Sequence, residues 1–345
     1  MTSVIETTET PARPPAGTPS AGDLVPGLVW AFRIHPDGSA QELAPDAPIE
    51  DRHDGWLWLH FNLADQRSGL WLDEASGLPP QALALLRGTD RHQQVHVADG
   101  CIYGVVADLV RDLNRVTHQF GHLRFAMTER RMVTARHEAL HATELARQRL
   151  RDGHRLKSVA GLLDTVIDHV ADAIDGLVDD IGSELDGIED RLLSRRLGDE
   201  RAELGRLRRL SVRLHRQLLG LRNLLLRVER DGGSAIPALL QLQHVRLIQR
   251  LDGLDHEVVA MRERARLLQD EVGARLAAET NRHLDTLTVL GSLFLPPTLI
   301  SGIFGMNTKD LPLAEVDHGS LWALALMALS SLAVYGLFRW ISRRR

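Results

Sequence analysis

The chain has a single cysteine, Cys101, in 345 residues. This excludes an intrachain disulfide framework and any zinc site built on a cysteine cluster. An excess of positive charge is also missing. The net charge is −5, the reverse of the basic balance that marks a nucleic-acid partner, so none is expected. Residues 1–24 are rich in Thr, Pro, Ala and Gly and hold no apolar core of secretory length; they read as a disordered tail. No nucleophile motif and no phosphate-binding glycine loop stands out, so the chain is not expected to be an enzyme and no cofactor is implied. Overall, 44% of residues are hydrophobic and 25% charged, which fits neither a disordered chain nor a many-span membrane protein.

Long uncharged runs are scarce too, but the two that exist lie close together near the end. Residues Thr286–Thr308 contain no charge, and neither do Gly319–Phe338. About 20 apolar residues suffice to cross a bilayer as a helix. The expected spans are 286–307 and 320–341, joined by an external loop, 308–319. That loop is net acidic, with Asp310, Glu315 and Asp317 against Lys309, whereas the end carries Arg339 and the basic tail 342–345. The positive-inside rule then places both termini in the cytoplasm.

The rest of the chain divides in two. Over 25–137, GLVWAFRIH and WLWLHFNL read as strands, QVHV and CIYGVVADL as a hairpin turning at Asp99-Gly100, and HLRFAMTERRMVTAR as another turning near Glu129. A short helix is expected over Pro79–Arg87. These signals make a mixed α/β cytoplasmic domain. Over 138–285 the pattern is helical. Leu163, Ile167, Val170, Ile174, Leu177, Ile181, Leu185, Ile188 and Leu192 step by three and four, as one face of a packed helix does. A second helix is expected over Glu200–Arg230. Leu247, Leu251, Leu254, Val258, Met261, Ala265, Leu268 and Val272 form a heptad seam, expected on a stalk helix running from about Pro237 into the first span and associating copies around an axis. The fold class is therefore an α+β membrane protein with a helical stalk and two C-terminal transmembrane helices.

Two spans cannot enclose a path alone, so one face of the first should suit a shared pore. Leu284, Leu287, Gly291, Leu295, Thr298 and Gly302 recur at helical spacing. The small and polar members Gly291, Ser292, Thr298, Ser301 and Gly302 are expected on one half of the helix and could face water while leucine rings close the path by dewetting; the same small residues could equally serve close helix packing. Gly305-Met306-Asn307 ends the span. It could be a simple helix cap, or the Asn307 amide could offer an oxygen to a cation at the mouth. Two further groups could touch metal. Asp164, Asp168, Asp172, Asp175 and Asp179 follow helical spacing and form either a regulatory cation-binding face or a solvated one. His92/His96 and His137/His141 are i,i+4 pairs, which on a helix could hold zinc.

Gly305-Met306-Asn307 at the end of the penultimate span, the two-span C-terminus, the stalk and the basic tail resemble the CorA metal-ion transporter superfamily over nearly the whole chain. The segments GLVWAF, WLWLHFNLAD and HLRFAMTERRMVTARH resemble the ZntB-like, zinc-transporting branch. The resemblance implies a funnel-shaped homopentamer in the bacterial inner membrane, with each first span lining a central pore and Gly305, Met306 and Asn307 forming its outer mouth. The cargo implied is a divalent cation, Zn²⁺ with proton coupling for this branch, while Mg²⁺, Co²⁺ or Ni²⁺ is the cargo of the wider family. The loop after Asn307, TKDLPLAEVDHG, departs from the magnesium-type pattern. A membrane-anchored scaffold that conducts nothing is the alternative outside transport.

Overall fold

The computed structural model describes residues 25–44, 47, 49, 55–112, 115–194, 199–232, 244–306 and 319–342. The disordered-tail expectation for 1–24 lies outside them, as do Asn307 and the loop acids Asp310, Glu315 and Asp317. The chain divides into two compact units, Met1–Arg266 and Leu267–Arg345.

In the first unit the strands are β1 (Leu28–Ile34), β2 (Ala40–Glu42), β3 (Trp56–Asn62), β4 (Gln94–Ala98), β5 (Cys101–Asp112), β6 (Arg115–Met127) and β7 (Arg131–Arg136). They form one sheet in the order β2-β1-β3-β7-β6-β5-β4. Two antiparallel halves meet at the parallel pair β3/β7. Asp99 and Gly100 both take positive φ, 51° and 69°, as a two-residue turn between twisted strands requires. The helices α1 (Arg67–Ala75) and α2 (Pro80–Arg87) come between β3 and β4. They cover one face of the sheet: Leu72, Leu78, Ala82 and Leu86 pack with Ala31, Leu59, Phe61, Cys101, Ala126 and Val133. Trp30, Phe32, Trp58 and His60 point to the other face and are also buried. A sheet covered on both sides explains why β3 is apolar almost throughout rather than alternating.

The second face receives α3 (His141–Arg151) and α4 (Val159–Leu193). The residue before α3, Leu140, has no side chain able to cap the helix. Asp108 of β5 does so instead, accepting from the Ala142 and Thr143 N–H groups at 3.0 and 3.1 Å and from Thr143 Oγ1 at 3.0 Å. Burial raises the Asp108 carboxyl to about 6, and these hydrogen bonds pull it back only in part. An unfolded aspartate titrates near 3.9, so the folded chain holds the extra proton between roughly pH 4 and 6. Asp108 therefore contributes stability at low pH that is lost as pH rises through about 6. Asp108→Asn keeps an acceptor but cannot titrate. Its thermal midpoint should vary less than that of wild type between about pH 4 and 6.

α4, α5 (Glu200–Gly232) and α6 (His244–Gly305) bring the helical seams together. Every α4 seam residue named above is buried. Ser158 caps α4, accepting from the Gly161 N–H at 3.1 Å. In α6, Leu247, Leu251, Leu254, Val258 and Ala265 are buried within the single chain, as are Leu268 and Val272. This corrects the expectation that the heptad seam joins copies. The first unit uses its part of the seam, Leu247 to Ala265, internally, where Arg250 pairs with Asp168 and Asp172, His215 with Asp255 and Arg264 with Asp186. A heptad seam specifies a helical neighbour but not whether that neighbour is in the same chain. The expected start of this helix at Pro237 lies outside the described residues; α6 is continuous over 62 residues, about 93 Å at 1.5 Å per residue.

In the second unit the end of α6 is followed by α7 (Gly319–Ser342). Both helices are long and apolar enough to cross a membrane.

Candidate functional site: the uncovered face of the first apolar helix

The second unit shows a two-sided α6. Val289, Ser292, Leu293, Pro296, Pro297, Ile300 and Phe304 are half-covered, whereas Leu284, Leu287, Gly291, Leu295, Thr298 and Gly302 are exposed. At 100° per residue the two sets are centred roughly 180° apart. On α7, Ala323, Met327, Ser330, Ser331 and Val334 make up the covered face. Ser331 Oγ donates to the Leu293 carbonyl at 3.4 Å, which places the covered face of α6 toward α7. The face picked out by sequence spacing is therefore the one that α7 leaves open. Ser292 belongs to the covered side, not with Gly291 and Thr298 as its polarity suggests.

The Ser331 contact has a local cause. Pro296 and Pro297 lie inside α6 and bring no N–H, so the carbonyls of Ser292 and Leu293 lose their donors four residues on. Within an apolar span a freed carbonyl needs another partner; Ser331 gives one to Leu293. Ser331→Ala should lower the stability of the helix pair by about 0.5–1 kcal/mol, read as a lower unfolding midpoint of the detergent-purified chain.

Thr298 adds a different feature. Its hydroxyl donates to the Phe294 carbonyl at 2.7 Å. With the proton committed to its own helix, the oxygen keeps its lone pairs as an acceptor on the open face. Thr288 Oγ1 donates to Leu284 in the same way at 2.8 Å. No charged residue occurs on α6 from Thr286 to Gly305. Trp322 and Trp340 are exposed near the two ends of α7, 18 positions apart by number, about 27 Å. That separation fits aromatic anchors at the two edges of a hydrocarbon layer.

The candidates in the first unit resolve differently. Arg250 bridges Asp168 and Asp172, while Asp175 and Asp179 stay exposed. Among the described residues no three His, Cys, Asp or Glu side chains converge to hold a metal ion. His137 and His141 do not share a helix, because α3 begins at His141 and Leu140 before it is extended. Sequence reasoning also passed over the string His137-Glu138-Ala139-Leu140-His141, which has the His-Glu-x-x-His form of zinc proteases; that chemistry needs both histidines on one helical face, and here the first lies outside it. His96 sits on β4 and stacks on Tyr103 at 5.4 Å, while His92 pairs with Asp90. Cys101 is buried and its thiol is pushed up to about 12, as befits a core residue. Sequence reasoning passed over His60, which is fully buried and stacked on Trp30 at 3.9 Å. Its Nε2 accepts from Arg136 Nε at 3.0 Å, so Nδ1 carries the proton and donates to Thr134 Oγ1 at 2.8 Å. Both ring nitrogens are used, and burial with Arg136 and Arg147 holds its pKa well below the ordinary value. It is a structural histidine.

Two C-terminal helices apolar and long enough to cross a membrane, a long preceding helix and a sheet covered by helices define an α+β membrane protein. The model of the CorA-like Mg²⁺ transporter protein family matches residues 53–344, and the chain belongs to that family of divalent-cation transporters. Among individual relatives, it is 26% identical over 328 residues to the zinc transport protein ZntB of Cronobacter sakazakii (strain ATCC BAA-894), covering 93% of this chain and 96% of the relative. Its fold is similar to that of the full-length CmaX protein, with a TM-score of 0.76 at 22% identity over 93% of this chain and 99% of the other. It is also similar to the CorA magnesium transporter from Methanocaldococcus jannaschii, with a TM-score of 0.68 at 16% identity over 90% and 98%.

Proposed function

We propose that the chain forms a homopentamer in the bacterial inner membrane and carries Zn²⁺ into the cytoplasm along a central path lined by α6. The observation that carries this reading is the uncharged face Leu284, Leu287, Gly291, Leu295, Thr298 and Gly302, left open by α7. A single helix pair gives that face nothing to enclose; several copies around an axis do. Gly305, Met306 and Asn307 would form the outer mouth, where a ring of amide oxygens meets a largely hydrated ion. The loop acids Asp310, Glu315 and Asp317 would raise the local cation concentration by long-range attraction. Inside, Thr298 oxygens would replace part of the hydration shell, and the rings of Leu284, Leu287 and Leu295 would close the path when dewetted. Both termini would lie in the cytoplasm, as the flanking charge requires.

The choice of Zn²⁺ is supported by the ZntB relative, aligned along nearly the whole chain. Mg²⁺ is the rival cargo, favoured by the description of the family. No ionisable side chain lies between Thr286 and Gly305, so any coupled proton would have to be carried outside this segment. Radiometal uptake into proteoliposomes decides between them. Zn²⁺ uptake that rises with an inward proton gradient and resists excess Mg²⁺ supports the zinc reading. Uptake of Mg²⁺ driven by membrane potential alone replaces it with the magnesium one, and a complete lack of flux favours the scaffold. Wild-type uptake by Asn307→Ala would remove the amide mouth from the account.

A further inference from the structure

The helices of the first unit divide their charge unevenly. α4 carries ten acidic residues against one arginine; α5 carries nine arginines against four acidic residues. Part of this is settled within the chain, where Arg206 pairs with Glu184 and Arg191 with Glu203. The remainder is exposed. Asp175, Asp179 and Asp190 on α4 are exposed, as are Arg209, Arg213 and Arg216 on α5. None of these six has an ion-pair partner among the described residues.

Helical phase turns these residues into two stripes. At 100° per residue, Asp175, Asp179 and Asp190 fall within an arc of about 60°, the same edge of α4 along which Asp168, Asp172 and Asp186 meet the arginines of α6; Arg209, Arg213 and Arg216 fall within a similar arc of α5, the edge on which Gly220 further along meets Gln93. Beside the acids lie small residues such as Gly176 and Ser183. A side chain built at Gly176 meets nothing within 4 Å, so a neighbour can approach that face closely. The arginines have the length to reach across it.

We propose that the α4 stripe of one copy docks on the α5 stripe of the next. This rests on the oligomeric reading above and names the contact within it. Opposite charges on two different helices of one molecule, α4 and α5, satisfy each other between copies head to tail. Such a heterologous contact, repeated, makes a ring where the rotation closes instead of a two-fold dimer. A second copy fits better than a nucleic acid, because the complementary stripe is carried by the same chain and the net charge is negative, −5. Exposed ion pairs add little affinity and are screened by salt. The contact therefore sets register between neighbours, leaving the membrane helices to hold the ring together.

Cross-linking of the full-length chain in native membranes tests this. Cys101 is fully buried and gives no background. One chain carries Asp179→Cys and another Arg213→Cys, and a flexible bis-maleimide is applied. A product of two chains should form when the two variants are expressed together and be lost when either is expressed alone. Adding Arg209→Glu and Arg216→Glu to the second chain should also abolish it. Leu284→Cys, on the proposed axis, serves as the reference because it should cross-link to its own copies. If Leu284→Cys cross-links and the mixed pair does not, the docking is wrong while the oligomer stands. If neither does, the oligomeric reading fails as well. A product from Asp179→Cys alone would indicate a two-fold contact and overturn the proposal.

Discussion

Placing phenylalanine at Gly291 should cut divalent-cation uptake on the order of tenfold or more, a barrier increase of at least ~1.4 kcal/mol. Gly291 lies on the open face of α6, and a side chain built there meets nothing within 4 Å in its own chain. The substitution should therefore spare the fold, and replacing glycine inside a helix even favours the helix. In the proposed assembly the added ring would enter the space around which the copies pack. Gly336 on α7 is a matched control, since a side chain there also meets nothing within 4 Å. Gly336→Phe should leave uptake close to wild type. Both variants are compared in proteoliposomes at equal protein content. Loss in both would indicate general damage to the membrane unit, and loss in neither would remove α6 from the path.

The largest stability effect is expected in the sheet. Trp58 is fully buried, lies 5.5 Å from Trp30 and 5.7 Å from Phe32 ring to ring, and donates from Nε1 to Thr134 Oγ1 at 2.9 Å. Thr134 Oγ1 is also the partner of His60. Trp58→Ala leaves a cavity and breaks into this network, at a cost of about 3–5 kcal/mol. Denaturant unfolding of the purified chain should show a much lower midpoint. Phe120→Ala removes a half-exposed ring from the same sheet and should cost far less. Equal midpoints for the two would contradict the core placed around Trp58.

Much of the architecture can be read along the chain because it is local. Asp99-Gly100 announces its turn, the α4 seam repeats its period for nine residues, and the uncharged runs have the length of a span. What escapes is what depends on partners distant in sequence. The parallel pairing of β3 with β7 joins residues more than 70 apart, such as Leu59 and Val133, and nothing in either strand specifies the other. α1 was missed because Arg67, Ser68, Gly69 and Asp73 dilute its apolar face. β6 begins at Arg115, earlier than the apolar run at His122, because its first half is polar. The α6 heptad was legible as a seam, but its intrachain partners were not. Within the candidate site, spacing groups Leu284, Leu287, Gly291, Leu295, Thr298 and Gly302 on one helix face, but polarity misplaces Ser292, which lies on the covered side. Only α7 shows that this face stays open and that Ser331 serves the carbonyl freed by Pro297.

The open face of α6 is proposed to border an aqueous path. Cysteine scanning from Leu284 to Gly302 in native membranes tests it directly, with Cys101 buried and silent. A water-soluble thiol reagent should label cysteines at 284, 287, 291, 295, 298 and 302 and block uptake there. Those at 289, 293 and 300 should stay unlabelled. Labelling that follows the α7-facing set, or that shows no helical period, would contradict the account.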